Sequence, residues 1–454
     1  MRRVLALAVL MAFMPTANAQ DTAKAEFTPS AEYRARYFWM QNPGGDADTM
    51  GTDSFANHRF KLGASFKANE KFSAHISLLH DASFGQMNAE TTGQFDQSVG
   101  GAHEENFMNV YEAYATWMVS EDFNLKVGRQ GFQMADGSVM ALNDWQQQPT
   151  AFEGVLGSFE AEFGRFQAFA FKYKELTGAA GHPTAGSSAS KDPEHNAYGI
   201  NFDLKTMPEW LKSLNVHVIK DNADGIVQAV ATPITDPTVN SLTGHDTIRY
   251  GVNAAFAFSM FDAKAWYEMQ SGKYTNALDD GTVADLDAAG TMYQLEIGAS
   301  FEEFMKSRFY AQYHVDSGDT DGTDGEQGTY DPYFYERHAN AGLMDLIGWG
   351  NLTYIQVGGT LMPMDNTTVG VAYTMFSRTE NDSASRPGDN GGTLAAGGTS
   401  DKIGDEIDLW AERAYDGGLS TVLRLGYFTP GSYLKDGGSE DNIMHVMLEG
   451  KLTF

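Results

Sequence analysis

The chain has 454 residues and a formal net charge of −29, because 60 Asp and Glu residues outnumber 31 Lys and Arg residues. Such an acidic excess disfavours nucleic-acid binding, which needs a basic surface opposite the phosphates. The sequence has no cysteine, which excludes a disulfide framework, and its length leaves room for a few soluble domains or one large closed barrel.

The first residues predict export. Arg2 and Arg3 precede the apolar run VLALAVLMAFM, and Ala17-Asn18-Ala19 supplies a small-x-small cleavage pattern. The run is too short to span a bilayer as a helix, so we interpret residues 1–19 as a secretory signal peptide. Residues 20–454 are then expected to form one exported domain without a membrane-spanning helix.

Alternation of apolar and polar residues along the mature chain predicts β-strands with one apolar and one wet face. In residues 247–258 apolar side chains occupy the even positions, whereas Thr247, Arg249 and Asn253 occupy odd positions. Residues 260–270 and 292–301 repeat this pattern. A tilted strand of about ten residues is long enough to cross a bilayer.

About eighteen such segments follow one another, joined by connectors that are short and long in turn. Connectors such as KANE, SED, MPMDN and YDGG are tight, whereas GQMNAETTGQFDQSVGGAHEE is long and polar. The predicted strands start near Phe27, Phe55, Phe72, Phe107, Phe123, Thr150, Arg165, Asn196, Ser213, Thr247, Met260, Thr291, Met305, Leu352, Thr367, Lys402, Leu419 and Ile443.

The sequence therefore predicts an all-β fold, a single transmembrane antiparallel β-barrel of about 18 strands with short periplasmic turns and long extracellular loops. Lipid offers the backbone no hydrogen-bond partner, so the strands must pair all the way round. The expected location is the outer membrane of a Gram-negative bacterium, in contact with lipid and lipopolysaccharide. The alternative is a soluble β-sandwich or a β-helix, because one face of such a sheet also meets water.

Aromatic residues near the strand ends predict girdles at the two membrane interfaces. The general preference of β-strands for aromatic residues is the alternative explanation. The residues concerned are Tyr37, Phe38, Trp39, Trp117, Trp266, Tyr267, Tyr427 and Phe428.

The final stretch NIMHVMLEGKLTF also alternates. We expect it to close the barrel against the strand near Phe27, which would remove the last open edge. A terminal aromatic residue after alternating apolar positions also resembles the signal read by the barrel-assembly machinery. His445, Glu449 and Lys451 are predicted to face the lumen, and the residues predicted to face lipid are Met444, Val446, Leu448, Leu452 and Phe454.

Three longer stretches carry strand-and-loop motifs. The first runs from LKVGRQGFQMADG to NDWQQQPTAFEGV, and the others are YFYERHANAGLMDLIGWGNLTYIQVGGTLMP and IGDEIDLWAERAYDGGLSTVLRLGYFTPGSYL. These stretches resemble the alginate-export family of outer-membrane porins. The resemblance implies an eighteen-stranded monomeric barrel that passes anionic polysaccharide or other anionic solutes. The lumen of a specialised alginate exporter is lined by arginine, whereas the inner faces here mix both charges, as in general porins.

Charged residues on the predicted inner faces are candidates for pore lining and selectivity. Arg34 and Arg36 lie on one strand face, and guanidinium groups in a low-dielectric channel suit carboxylate or phosphate groups. The alternative is that they pair with lumen carboxylates and brace the wall. The full set is Arg34, Arg36, Arg59, Lys61, Arg129, Arg249, Lys264, Arg308, Arg424, Glu296 and Glu406.

The placement of Arg129 in the lumen depends on a bulge in its strand. Arg129 is out of phase with Lys126, so it faces the lumen only if the strand bulges near Gly128, and glycine often marks such bulges. Asp144 is its candidate salt-bridge partner.

The aromatic stretch YDPYFYERHANAGLMDLIGWGN, residues 330–351, is predicted to fold inward as a constriction loop. A plain external loop is the alternative. The side chains expected at the constriction are Tyr333, Tyr335, Arg337 and His338.

The acidic stretch DSGDTDGTDGE offers Asp319, Asp321 and Asp324 as oxygen ligands for a structural calcium ion. The spacing departs from the EF-hand loop, because Thr323 stands where the third acidic ligand would be. A solvated acidic loop is the alternative, and no other cofactor is predicted.

These features predict a passive outer-membrane channel for small hydrophilic solutes, including anionic sugars or polysaccharide. No enzyme activity is predicted, because the 11 histidines are scattered and the sequence has no G-x-S-x-G, P-loop or metal-ligand helix. A structural or adhesive surface barrel with an occluded lumen is the alternative. The expected partners are envelope lipid, the barrel-assembly machinery during biogenesis and the transported solutes, and the chain is expected to be a monomer.

Overall fold

The computed structural model describes residues 25–84, 108–175, 194–228, 239–278, 283–338, 341–381, 383, 386–387, 394–395 and 397–454. The predicted signal peptide, residues 1–19, lies outside the described residues. So does the predicted start of the fourth strand near Phe107.

The described chain is almost entirely strand. The main sheet has 20 strands, and two short ones, Val283–Ala288 and Glu326–Gln327, are additions at one end, so that 18 long strands form the wall. These strands are β1 (Glu26–Gln41), β2 (Thr52–Lys67), β3 (Phe72–Ser83), β4 (Asn109–Met118), β5 (Phe123–Gln130), β6 (Phe152–Glu160), β7 (Gly164–Glu175), β8 (Glu194–Leu204), β9 (Leu211–Gln228), β10 (Val239–Phe258), β11 (Phe261–Leu278), β12 (Thr291–Phe301), β13 (Ser307–Asp316), β14 (Leu352–Met364), β15 (Thr367–Arg378), β16 (Lys402–Ala414), β17 (Leu419–Pro430) and β18 (Ile443–Thr453).

Each long strand pairs antiparallel with its neighbours in the chain, and the sheet is closed. β1 pairs with β18 from Glu32 opposite Thr453 to Gln41 opposite Met444. The predicted closure by the last strand is therefore confirmed, as is the antiparallel barrel of 18 strands.

Helical structure is minor in the part of the chain that is described. It consists of α1 (Ala47–Met50), α2 (Ser432–Gly437) and one 3₁₀ turn, Ala135–Gly137. None of the described helices is long and apolar enough to cross a membrane. Ile347–Gly348 and Arg386–Pro387 pair as a separate two-stranded sheet.

The connectors define two ends of the barrel, a turn end and a loop end. At the turn end the Asn69 side chain accepts hydrogen bonds from the backbone N–H groups of Lys71 and Phe72, which fixes the turn between β2 and β3. Between β16 and β17, Gly418 has a φ of 85°, and a Cβ there would lie 2.1 Å from the carbonyl oxygen of Thr453. Only glycine fits this left-handed position.

Alternation along the strands places apolar side chains outside and most charged ones inside. On β12, Leu295 and Ile297 are 49% and 56% exposed, whereas on β11 Glu268 and Gln270 are buried in the interior. A soluble barrel has the opposite arrangement, with polar side chains outside and apolar ones inside. Apolar side chains on the outer face suit lipid, because they are not exposed to water there.

Outward-facing aromatic residues differ between the two ends. Most exposed tyrosines lie towards the loop end, and most exposed phenylalanines and tryptophans lie towards the turn end, with Tyr415 and Phe84 as exceptions. The prediction is wrong for Phe38, Trp266 and Phe428, which are buried inside the barrel because they occupy alternate strand positions. Examples of exposed residues are Tyr37, Tyr198, Tyr267, Tyr293, Tyr313 and Tyr427 at the loop end and Phe72, Trp117, Phe163, Trp210, Phe258, Phe301 and Phe309 at the turn end.

Candidate functional site

Two segments from the loop end fold into the barrel and fill much of its upper interior. We name them the first inward loop, residues 131–151 between β5 and β6, and the second inward loop, residues 317–351 between β13 and β14. Described residues of the predicted constriction stretch, such as Tyr333 and Trp349, pack on side chains of the inner wall, whereas their role as a constriction stays a prediction. The first inward loop was not predicted from the sequence.

Apolar side chains draw the first inward loop into the barrel. Phe132 packs against Phe169 and Phe171 of the inner wall, with ring centroids 5.0 and 5.3 Å apart. Val139 and Met140 are fully buried behind the 3₁₀ turn. Burial of such side chains contributes about 1.5–3 kcal/mol each, which favours the inward position.

The second inward loop packs on aromatic side chains of β10 and β13. Trp349 is buried and stacks on His314 of β13 and on Tyr335, with centroids 4.5 and 4.8 Å apart. Tyr333 stacks on His245 of β10 at 4.4 Å. Burial and the nearby Asp331 carboxylate raise the pKa of Tyr333 well above its usual value, so its hydroxyl stays protonated.

The two inward loops are hydrogen-bonded to each other. The N–H of Ala141 donates to the Phe334 carbonyl at 2.7 Å, and the N–H of Glu336 donates to the Gly137 carbonyl at 2.8 Å. The N–H of Arg337 donates to Asn143 Oδ1 at 3.0 Å. The loops therefore form one packed unit rather than two independent flaps.

Arginines of β1 and β2 hold the first inward loop from the wall. Arg34 donates to the carbonyl of Asp144 at 2.6 Å, and Arg59 donates to the same carbonyl at 3.0 Å. Arg36 donates to the Trp145 carbonyl and pairs with Glu449 at 2.6 Å. Because Arg34 lies directly opposite Arg59 across the ladder, the loop carbonyls offset a repulsion between like charges.

Asp144 adds a carboxylate to this cluster. Its Oδ1 lies 3.0 Å from Arg59 and 3.7 Å from Lys61. Burial alone would raise the pKa of Asp144, but Arg59 and Lys61 outweigh burial and hold the pKa below its ordinary value. Arg59 also pairs with Glu32 at 2.5 Å.

Trp145 and His338 form a stacked contact between the two inward loops. Their rings are stacked with centroids 3.5 Å apart, and the Arg36 guanidinium carbon lies 3.7 Å from the Trp145 ring centre. Arg424 of β17 lies 4.6 Å from the same ring and donates to His338 Nε2. His338 Nδ1 donates to Asp345 at 2.7 Å, which fixes the imidazole.

Two carboxylates of β16 bind the second inward loop. Glu406 Oε1 accepts from the N–H of Met344 at 3.1 Å, and Asp408 Oδ2 accepts from the N–H of Leu343 at 3.2 Å. Both carboxylates are buried. Basic groups on one wall and acidic groups on another thus bind loop backbone.

A cavity of about 560 Å³ lies below the Trp145–His338 contact, towards the turn end. Charged side chains of both signs reach it from β1, β16, β17 and β18. Among them are Arg34, Arg36, Glu412, Arg424, Glu449 and Lys451.

The other predicted inner-wall residues lie apart from this cavity. Arg308 bridges Asp262 and Glu296, at 2.5 and 2.6 Å. Arg249 is fully buried, with Cζ 5.9 Å from the Tyr333 ring centre. Lys264 is exposed and shares the inner phase of β11 with Asp262.

The structure corrects the placement of Arg129. The register of β5 and β6 is continuous through Gly128, so no bulge turns Arg129 inward. Arg129 shares the outer phase with Val127, which is 51% exposed, and pairs with Glu153 at 3.2 Å. Asp144 pairs with Arg59 instead of Arg129.

The four predicted constriction residues have different surroundings. Tyr333 is buried against the wall, Tyr335 is half-buried on Trp349, and His338 is buried on Trp145. Arg337 is exposed. Of these, only His338 reaches the cavity.

The acidic stretch at 319–324 forms local turns. Asp321 Oδ1 accepts from the N–H of Thr323 at 3.0 Å, and Asp324 Oδ1 accepts from the N–H of Glu326 at 2.8 Å. Over the described ranges, one group of three metal-ligating side chains lies close together, and it does not include Asp319, Asp321 or Asp324. The calcium site stays a prediction without that geometry.

Comparison with known proteins gives one family and many similar folds. A sequence model of the alginate-export family matches residues 27–445. No curated protein matches the chain.

The similar solved structures share the fold at low sequence identity. Pseudomonas aeruginosa OpdO has a TM-score of 0.57 and 12% identity, covering 94% of this chain and 97% of OpdO. OccK8 (OprE) of the same organism has a TM-score of 0.57 and 13% identity, covering 94% and 98%. The outer-membrane protein OpdK of that organism has a TM-score of 0.56 and 11% identity, covering 94% and 98%.

Proposed function

Since the chain belongs to the alginate-export family of outer-membrane porins, we propose that it is a passive diffusion channel for small hydrophilic solutes. Its solutes would include anionic sugars or short anionic polysaccharides. The lumen would sort them by size at the inward loops and by charge at the cavity beneath.

The observation that carries this proposal is the charged cavity of about 560 Å³ inside the closed wall. A low-dielectric wall strengthens the field of each charge that borders such a space. Arg34, Arg36 and Arg424 present guanidinium groups, which suit carboxylate and sulfate-like oxygens, while Glu412 and Glu449 would admit cations at a lower preference.

Planar-bilayer recording of the purified barrel tests the proposal. Stepwise conductance in potassium chloride is expected, with a reversal potential in a salt gradient that reports the charge preference. Absence of any stepwise conductance from correctly folded protein would refute the channel function.

A matched pair of variants at the cavity tests the role of its charges. Glu412→Gln removes a negative charge and should shift the reversal potential in the direction of greater anion preference. Lys451→Gln removes a positive charge and should shift it in the direction of greater cation preference. Two unchanged reversal potentials would mean that ions do not pass this cavity.

The second candidate is a structural or adhesive barrel with an occluded lumen. One observation favours it: the inward loops and the wall share a large buried apolar cluster, which includes Phe152, Met344 and Trp349. This packing would resist loop movement. The same bilayer recordings separate the two functions, because an occluded barrel stays silent.

The cellular setting is part of the proposal. An apolar outer wall with two aromatic girdles supports residence in the outer membrane of a Gram-negative bacterium, in contact with lipid and lipopolysaccharide. We propose a monomer that depends on the barrel-assembly machinery for insertion. Fractionation of the envelope and the mass of the detergent-solubilised protein test these points.

A further inference from the structure

Three side chains on adjacent strands converge inside the barrel, away from the charged cavity. They are His195 of β8, Asp221 of β9 and His245 of β10. Their candidate ligand atoms all lie within 4.8 Å of one another. The side chains of His195, Asp221 and His245 are 8%, 0% and 1% exposed.

The strand register brings these residues together. Ala223 of β9 lies opposite His195 on β8 and opposite His245 on β10. Asp221 lies two residues before Ala223 and therefore on the same face of β9. Inward-facing positions on three paired strands therefore place two imidazoles on either side of one carboxylate.

Hydrogen bonding alone leaves this cluster incomplete. His195 Nε2 lies 2.7 Å from Asp221 Oδ1, which is a good hydrogen bond. His245 Nε2 lies 3.5 Å from Asp221 Oδ2, and both of these buried atoms lack a hydrogen-bond partner in the described structure. A buried polar group without a partner costs about 1–3 kcal/mol, so two such atoms facing each other call for an explanation.

We propose that His195, Asp221 and His245 bind one divalent transition-metal ion of the Zn²⁺ class. Two imidazole nitrogens and a carboxylate oxygen suit this class of ion, whereas Ca²⁺ and Mg²⁺ prefer oxygen ligands alone. In a tetrahedral zinc site the ligand atoms are about 3.3 Å apart, given metal–ligand distances of about 2.0–2.1 Å. The separations of 2.7 and 3.5 Å between the imidazoles and the carboxylate bracket that value.

The charges around the cluster allow a cation to bind. Asp221 supplies one negative charge directly, and Glu268 lies on the same inner wall. Arg249 is the neighbouring buried cation, and Glu268 and Asp221 are the carboxylates that interact with it. The fourth coordination position would be open to a water molecule or to a group carried by a solute.

The site would also support the second inward loop. Phe334 packs on His195 with ring centroids 5.2 Å apart, and Tyr333 stacks on His245 at 4.4 Å. A metal ion that fixes both imidazoles therefore fixes the surface on which this loop rests. It would also link β8, β9 and β10 near the loop end of the barrel.

Metal titration of the purified full-length barrel tests the inference. The protein is folded in detergent, stripped with a chelator and titrated with Zn²⁺ by calorimetry. One equivalent per chain is expected to bind, and Ca²⁺ or Mg²⁺ at the same concentration should give no saturable signal. Co²⁺ should give visible absorption bands typical of four- or five-coordinate nitrogen and oxygen ligands.

Variants locate the ion. Asp221→Asn and His245→Gln should each weaken the one-equivalent binding by at least about tenfold, because each removes a ligand. His217→Gln is the matched control: His217 and Glu268 form an equally buried pair at 2.7 Å but supply only two ligands, so zinc binding should be unchanged.

Two results with Zn²⁺ would overturn the assignment. One is the absence of stoichiometric Zn²⁺ binding to the wild-type protein. The other is binding that Asp221→Asn and His245→Gln retain. Heat-dependent migration on gels identifies any variant that does not fold, and His195→Gln then replaces it in the comparison. The Co²⁺ spectrum is recorded on the wild-type protein and does not depend on the folding of any variant. A spectrum typical of Co²⁺ with six water ligands would also count against the site.

Discussion

Arg34 and Arg36 bind the first inward loop of the same chain. Their guanidinium groups bind the carbonyl oxygens of residues 144 and 145, and Arg36 also pairs with Glu449. These contacts agree with the alternative that the two arginines brace the wall, and their role in selectivity stays a prediction. Both residues also border the charged cavity from which a solute would meet them.

Replacing both arginines should loosen the first inward loop and change selectivity. Arg34→Ala with Arg36→Ala removes hydrogen bonds from charged donors, which are worth about 1.5–3 kcal/mol each. We expect noisier and larger single-channel currents and a lower anion preference, measured in planar bilayers.

The double lysine variant separates charge from geometry. Arg34→Lys with Arg36→Lys keeps both charges but loses the planar fork that reaches several carbonyls at once. The reversal potential should stay near the wild-type value while the current noise rises. Equal noise in the wild-type and both variants would show that these arginines do not hold the loop.

The contact of Asp144 with Arg59 makes the anchoring of the first inward loop dependent on pH. The pKa of Asp144 is lower in the folded protein than in the unfolded chain, because of Arg59 and Lys61. Its contribution to stability is therefore present above the ordinary Asp pKa of about 3.9 and is lost as pH falls through the lower folded value.

Recording channel currents at decreasing pH tests this predicted loss of stability. Current noise should rise as the pH falls below about 4, and Asp144→Asn should be noisy at all pH values and less sensitive to acid. Since Asp144 is 45% exposed, solvent weakens the effect. A wild-type response that Asp144→Asn reproduces would assign the titration to another group.

The inward loops are the elements that separate this barrel from an open pore. The first is anchored by Phe132 at the wall and by arginines at residues 144–146, and the second by Trp349 and by Glu406. Backbone hydrogen bonds then join the two loops. Such double anchoring predicts that the constriction is a permanent part of the fold.

Shortening the first inward loop should therefore widen the channel. Replacing residues 133–149 with a short Gly-Ser linker is expected to raise single-channel conductance by at least about twofold, because the narrowest section controls ion flow. Trp145→Ala should give a smaller rise, since it removes only the stack between Arg36 and His338. Unchanged conductance in folded protein would place the constriction elsewhere.

At the scale of the whole molecule, closure depends on the pairing of the first and last strands. The N–H of Phe454 donates to the Ala31 carbonyl at 2.9 Å, while its side chain is 69% exposed on the outer face. The aromatic ring thus adds little packing inside the barrel. Its proposed role lies in recognition during assembly.

Phe454→Ala should lower the yield of folded barrel in the membrane but leave the conductance of each assembled channel unchanged. Phe258→Ala is the matched control, because Phe258 is also an exposed aromatic residue on the outer face, at 54%. Comparable folded yields for Phe454→Ala, Phe258→Ala and the wild-type protein would remove the terminal ring from the assembly signal.

Strand starts predicted from the sequence lie within three residues of the observed starts, because each strand must alternate between lipid and interior; the exception is β10, which begins at Val239 and not near Thr247. The 11 residues of β12 and the 12 residues of β15 cannot shift by one position without turning apolar side chains inward. The starts at Phe72, Phe123, Thr291 and Leu352 were thus predictable to the residue. Arg129 failed for a related reason, since an assumed bulge at Gly128 overrode a register that is in fact continuous.

The sequence by itself determined the barrel, its 18 strands and its polar inner face, because a backbone in lipid must pair completely and its side chains have a period of two. Only the tertiary structure decided which residues meet across the lumen. Asp144 meets Arg59, and Trp145 meets His338, from segments far apart in the chain. The register of three adjacent strands brings His195, Asp221 and His245 together. Alternation fixes the face of each residue, but register between strands and the packing of inward loops fix its partners.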